Sequence, residues 1–412
     1  MRLARRTLLT AMMASLAAPA VLRLARADTA QVTLKLHHFF SSVSSAHDKF
    51  LAPWARKLEA QSAGRIRIDI FPSMQLGGAP AQLFDQARDG LADIVWMMPA
   101  STPGRFAKIE TFELPFVPSH RALVNSRAVE DYAAANLQDE FREVHPLSFS
   151  CRDHGVLHAS RTIASIGDLK GLRLHVPNRL AAETVRALDA RDVAAPIPQL
   201  PMAIAAHRID GCLDPWDLVP GLRLHDLLKA HTDFAESSLS TTAFVLAMNK
   251  ASYERLPREL KTVIDINSGQ VAAGMAGAMW DLEAAAAADM VRQRGGAVTM
   301  LTAEQIATWR KATAPVIAAW LRQMRESGID GDKLVESARA LLAKYASEPE
   351  PQPLQQPQPN AATEPQQHPQ AKAKTKAETK AETQKSDAPA APAARAAPAA
   401  KSIPPKELDI PL

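Results

Sequence analysis

Cys151 and Cys212 are the only cysteines in 412 residues, and they form no CxxC pair. That excludes a thioredoxin-like redox motif and zinc-finger spacing. HExxH, GxSxG, P-loop and dinucleotide-binding patterns are also missing, so the common metalloprotease, hydrolase and nucleotide-binding classes have no local signature. After the first two dozen residues, no run is long and apolar enough to cross a bilayer. No basic stripe interleaved with aromatics occurs, so no nucleic-acid partner is expected. Cys151-Arg152-Asp153-His154 gathers nucleophile, acid and base types, but adjacency in sequence is not convergence in space. His37, His38, His154 and His158 show no metal-ligand spacing with a carboxylate or cysteine. Neither an enzyme, a metal site nor a cofactor is therefore expected.

The chain opens with Arg2, Arg5 and Arg6, an apolar stretch from Leu8 to Val21, and Ala25-Arg26-Ala27. This is the order of a signal peptide, so residues 1–27 are read as an export signal and the mature protein as periplasmic. Arg5-Arg6 suits the twin-arginine route as well as ordinary n-region charge, and both remain open. Five arginines lie in that segment, so its removal takes the formal charge from +4 to −1. The pI near 9.0 therefore says little about partners. Export permits a Cys151–Cys212 disulfide, and the plainer alternative is two small buried hydrophobes.

Residues 28–347 read as folded, and the length suits two lobes. Val32–Leu36 is a strand candidate, and Asp48–Gln61 carries its apolar residues on one helical face. Arg65–Ile70 alternates charge with isoleucine, the pattern of a half-exposed strand. Pro80–Gly90 reads as helix and Ala92–Met97 as a third strand. The pattern restarts with strand Leu172–Pro177, helix Arg179–Leu188 and strand Arg208–Leu213. Thr242–Met248 reads as a buried strand returning to the first lobe, and Lys261–Arg292 as one extended helix. Thr302 with Gln305 forms a capping box that opens another helix. Alternating strands and helices imply an α/β protein with parallel-type sheets. The expected division is a first lobe over 28–150, a second over 151–240, and a return segment with helices across both over 241–347. From Glu348 onward come thirteen of the thirty prolines and no aromatic residue. Such a composition cannot offset its chain entropy, so 348–412 is read as a disordered spacer.

Several stretches resemble, in order, the DctP-type solute receptors of TRAP (tripartite ATP-independent periplasmic) transporters. They include Leu36–Phe40, Ser62–Ile66, Phe71–Gly78, Asp89–Ile94, Phe112–Phe116, Asp168–Arg173, Ile209–Gly211 and Met248–Lys250. The resemblance covers residues 31–345. It implies a two-lobed periplasmic binding protein fold with hinge strands and a long helix in the C-terminal half. It further implies capture of a small organic acid and its delivery to TRAP membrane subunits.

Ligands of open α/β sheets collect at the carboxyl ends of strands. That singles out Phe39 after the first strand, Trp96 after the third, and the stretch from His175 to Arg179. It also singles out Asp214 and Trp216 after a later strand, with Arg152 just before the second lobe. The resemblance implies an arginine two residues before Pro177 to grip the ligand carboxylate, but this chain has His175. Arg179, Arg152 and Arg173 are the candidate replacements, a protonated His175 could itself accept an anion, and Asn178 matches a position that often supplies an amide in relatives. For His175 the plainer reading is a strand-end histidine, and for Trp96 and Trp216 it is core packing. The substituted arginine and the long tail leave an alternative function open, a ligand-sensing or envelope-tethered protein of the same fold.

Overall fold

The computed structural model describes residues 30–348. The stretches read as an export signal and, past Glu348, as a spacer lie outside the described residues. Strands β1 (Val32–His38), β2 (Ile66–Phe71), β3 (Ile94–Met97) and β4 (His145–Cys151) build one sheet. β5 (Gly155–Ala159), β6 (Arg173–His175), β7 (Arg191–Asp192), β8 (Gly211–Pro215) and β9 (Ala230–Asp233) build a second. β10 (Ala243–Met248) then returns to the first sheet and β11 (Ala297–Met300) to the second. The first sheet runs β2-β1-β3-β10-β4 and the second β11-β9-β5-β8-β6-β7. These are the sheets of two α/β lobes.

The alternation in β1 and β2 has a direct cause. Leu34, Leu36, Ile66 and Ile68 are buried on one face, while Lys35 and Arg67 stay on the other. β3 and β10 lie inside the sheet, are buried on both faces, and are apolar throughout. β10 runs antiparallel to β3 and β4, whereas β1 is parallel to both β2 and β3.

The chain passes between the lobes at Arg152–His154 and again at Phe234–Thr242, between β9 and β10. Two helices also span both. In Gln270–Gln293, Ala272, Ala276, Met279 and Trp280 pack into a first-lobe core, and Ala284, Ala287, Ala288 and Val291 into a second-lobe core. In Ala303–Glu326, Ile306 and Trp309 serve the second lobe, while Val316, Trp320 and Met324 serve the first. Its capping box is present, with Gln305 N–H donating to Thr302 Oγ1 at 3.3 Å.

The extended helix expected from Lys261 is in fact two, Arg258–Asp265 and Gln270–Gln293. Gly269 adopts φ +58°, which favours glycine, and its N–H donates to Leu147 O of β4 at 2.7 Å. A donor spent on the edge strand cannot continue a helix. Further on, a Cβ at Gly277 would stand 2.6 Å from Leu123 Cα, so this helix crosses Ala122–Asn136 closely only because the side chain is missing. Cys151 and Cys212 are free and buried in separate cores, so there is no bridge between them.

Candidate ligand-binding site

The first lobe offers a wall of rings. β1 runs out into Phe39 and Phe40, and the β1–β3 register sets His38 beside Trp96. Phe40 stacks on Trp96 with centroids 5.2 Å apart, and Phe39 stacks on Phe40 at 4.3 Å. Phe244 of β10 lies 4.8 Å from Trp96, and Trp280 of the long helix lies 6.3 Å from it. Trp96, Phe244 and Trp280 are fully buried, while Phe39 and Phe40 are half-buried. The indole N–H groups of Trp96 and Trp280 have no hydrogen-bond acceptor.

A cation completes this wall at the first crossing. The Arg152 guanidinium stands 4.8 Å from the Trp280 ring centroid and 6.0 Å from that of Phe40, within cation–π range. Its Nε donates to Asp217 Oδ1 at 3.0 Å, and Nη2 donates to Asp217 Oδ2. Burial acts against the Arg152 charge, but Asp217 more than offsets this and holds the guanidinium above its ordinary pKa. Burial raises the Asp217 carboxyl, and Arg152 offsets only part of that rise. Next in the chain, Asp153 accepts from Trp216 N–H at 3.1 Å through Oδ2, while Oδ1 has no partner. Burial, with Asp217 adding to it, pushes the Asp153 carboxyl up to about 8.

The second lobe offers hydrogen-bonded polar groups instead. His175 Nδ1 pairs with Asp214 Oδ2 at 2.7 Å, both buried. Burial disfavours each charge, but the pair's mutual attraction exceeds that cost, so His175 titrates above and Asp214 below its ordinary value. The charges of Asp214 and Arg152 also act on one another, which joins the two groups electrostatically.

The remaining expected site residues have partners of their own. Asn178 caps helix Arg179–Ala187, accepting from Ala181 N–H at 2.8 Å and donating to Thr241 O at 3.0 Å. Both ends of its amide are thereby used within the protein. Arg179 divides its fork between Glu110 at 2.6 Å and Glu183 at 2.7 Å, and Glu110 also accepts from Trp320 Nε1 at 3.1 Å. Trp216 packs inside the second lobe, 5.1 Å from the His158 ring and 5.2 Å from that of His231, and donates to Asp233 at 3.2 Å. The structure thus gathers Arg152, Phe39 and Trp96 in one place and His175 with Asp214 in another. Sequence reasoning missed Trp280, Phe244 and the role of Asp217. One signal was present, because Trp280 is the only aromatic residue in an alanine-rich helix.

Comparison with known proteins bears on what such a site serves. Residues 36–323 match the family described as bacterial extracellular solute-binding protein, family 7. A TRAP solute-binding protein of Rhodoferax ferrireducens, solved with copurified benzoate, is 38% identical, with 76% of this chain and 98% of that one covered and a TM-score of 0.73. A marine-metagenome TRAP solute-binding protein specific for aromatic acids, solved with 3-hydroxybenzoate, is 37% identical over 77% of this chain and 99% of that one, with the same TM-score of 0.73. The outer membrane transporter protein TsaT of Comamonas testosteroni is 24% identical over 76% of this chain and 92% of its own. No helix among the described residues is long and apolar enough to cross a membrane. The chain belongs to the extracytoplasmic solute-binding proteins of family 7, the DctP family.

Proposed function

We propose that this protein is a non-catalytic periplasmic receptor, which captures an aromatic carboxylic acid between its lobes and delivers it to TRAP membrane subunits. One observation carries the reading: Arg152, at the crossing between the lobes, stands over Trp280 and Phe40 within a wall of stacked rings. A flat acid suits both parts, with its ring against Phe39, Phe40 and Trp96 and its carboxylate toward the guanidinium. The aromatic acids held by the two relatives that are 38% and 37% identical support the same class. In this reading Arg152 takes the part that the family gives to the arginine replaced by His175. His175 and Asp214 face the ligand from the second lobe, while Asn178, Arg179 and Trp216 hold the frame. Contacts from both lobes favour the closed form, which is the form a membrane partner recognises.

The test is a thermal-shift panel of benzoate, hydroxybenzoates, aliphatic mono- and dicarboxylates and neutral aromatics. An acid at a hundred times its dissociation constant stabilises the fold by about 2.7 kcal/mol. Shifts confined to aromatic acids are expected. Shifts from neutral aromatics alone, or from aliphatic diacids alone, sink the reading.

A further inference from the structure

Asp217 already occupies the Arg152 fork with the two-bond geometry that a ligand carboxylate takes on an arginine. The surroundings hold little to neutralise a second carboxylate there. From its own strand end, Asp217 faces the charge of Asp214, which is itself bound to His175. From the long helix it faces Glu283, whose partners are Ser45 and Lys49 at the start of the helical segment after β1. From the crossing it faces Arg152 and Asp153, and Asp153 has an unpartnered buried oxygen. Two ionised carboxylates on one buried guanidinium repel each other at close range, and the neighbouring His175 and His154 are already paired with Asp214 and Asp233.

We propose that the ligand's carboxylate displaces Asp217 from Arg152, and that Asp217 takes up one proton from solvent as it yields the fork. Asp217 is thus the protein's own stand-in for the ligand, and binding is proton-coupled. The proton passes from buffer to an Asp217 oxygen, the Arg152 hydrogen bonds move from Asp217 to the ligand carboxylate, and no other covalent bond is made or broken. Burial already biases that carboxyl toward its protonated form. This rests on the proposal that an organic acid binds at Arg152.

Calorimetric titration of the intact protein with benzoate, in phosphate and in Tris across pH 6–8, counts the protons. About one proton taken up per ligand is expected, with affinity falling about tenfold per pH unit over the upper part of that range. Asp217→Asn abolishes the uptake and flattens the pH dependence, whereas Asp217→Glu, which keeps a carboxylate, retains both. Tight binding without proton uptake in the wild-type protein overturns the inference and leaves the receptor reading intact, whether or not the Asn variant folds. If no acid binds at either pH, the receptor reading itself fails, and this inference falls with it.

Discussion

The two lobes bring different materials to the proposed site. On the first lobe, Phe39, Phe40, Trp96, Phe244 and Trp280 make a stack held by packing, with two indole donors unanswered. On the second, His175, Asp214, Asn178 and Trp216 are each committed to a hydrogen bond within the protein. Ring stacks tolerate a change of partner, because every flat face offers the same surface. Paired buried charges do not, because breaking one leaves its partner uncompensated. In the proposed function, the first wall thus sets the class of ligand by shape and the second fixes where its polar end comes to rest. Arg152 belongs to both kinds, stacked on one side and salt-bridged on the other.

The largest effect that would break this division comes from Arg152. Arg152→Ala leaves Asp217 buried without its cation and should cost about 3–5 kcal/mol of stability. Arg152→Lys keeps the charge but loses the fork and the stacking, so it separates folding from recognition. Calorimetry should show affinity for an aromatic acid reduced by about a hundredfold, near 2.7 kcal/mol, with the fold retained. An unchanged affinity would take Arg152 out of the site. Truncating the ring wall comes next. Trp280→Ala should lower stability by about 3–5 kcal/mol in denaturant unfolding. Trp280→Phe should cost much less stability while still weakening benzoate.

The pH dependence of stability sharpens the comparison further. Burial pushes Asp153 and Glu113 up to about 8 and Glu130 and Glu140 up to about 7. These carboxyls hold their protons more tightly folded than unfolded, so their contribution to stability declines as pH rises from about 4 toward 8. His154 and His175, raised in spite of burial by Asp233 and Asp214, act with the same sign above pH 6.5. Burial holds His38 and His158 down to about 3 and His231 down to about 4, so these favour the fold only until pH falls below 6.5. Melting temperature by scanning calorimetry should therefore fall between pH 6.5 and 8, and a rise across that interval would contradict the assignment. The smallest effects are expected from the frame. Asn178→Ala should cost about 1 kcal/mol as a lost helix cap. Arg179→Ala should change ligand affinity by less than about tenfold, since its fork is divided between Glu110 and Glu183.

Much of the fold was legible because its signals are local. Charge and isoleucine alternate through Ile66–Ile70, Thr302 and Gln305 mark a helix start, and matching stretches run the length of both lobes. β11 gave no such signal, being four residues long and only half-buried. The break at Gly269 did carry a local signal, the turn-forming run Asn267-Ser268-Gly269, masked by the absence of proline, but what fixes it is a hydrogen bond to β4 more than a hundred positions earlier. The site was less legible for the same reason. Arg179 was a sound candidate by position, but what occupies it is Glu110, 69 residues away. The Arg152 partner Asp217 is 65 residues away, in a stretch read for its tryptophan. Pairings at that range are set by the fold, and no spacing in the chain encodes them.

The helices Gln270–Gln293 and Ala303–Glu326 each belong to both lobes at once, with separate stretches of apolar surface in different cores. Such a molecule opens like a flexure rather than a door. Parting the lobes has to bend two continuous rods, of which the second contains Pro315 and so lacks one backbone donor at mid-length. In the proposed capture between the lobes, the elastic resistance of those rods opposes wide parting. It also supplies a restoring force that any captured molecule has to work with, before a single contact to its ring or carboxylate is made.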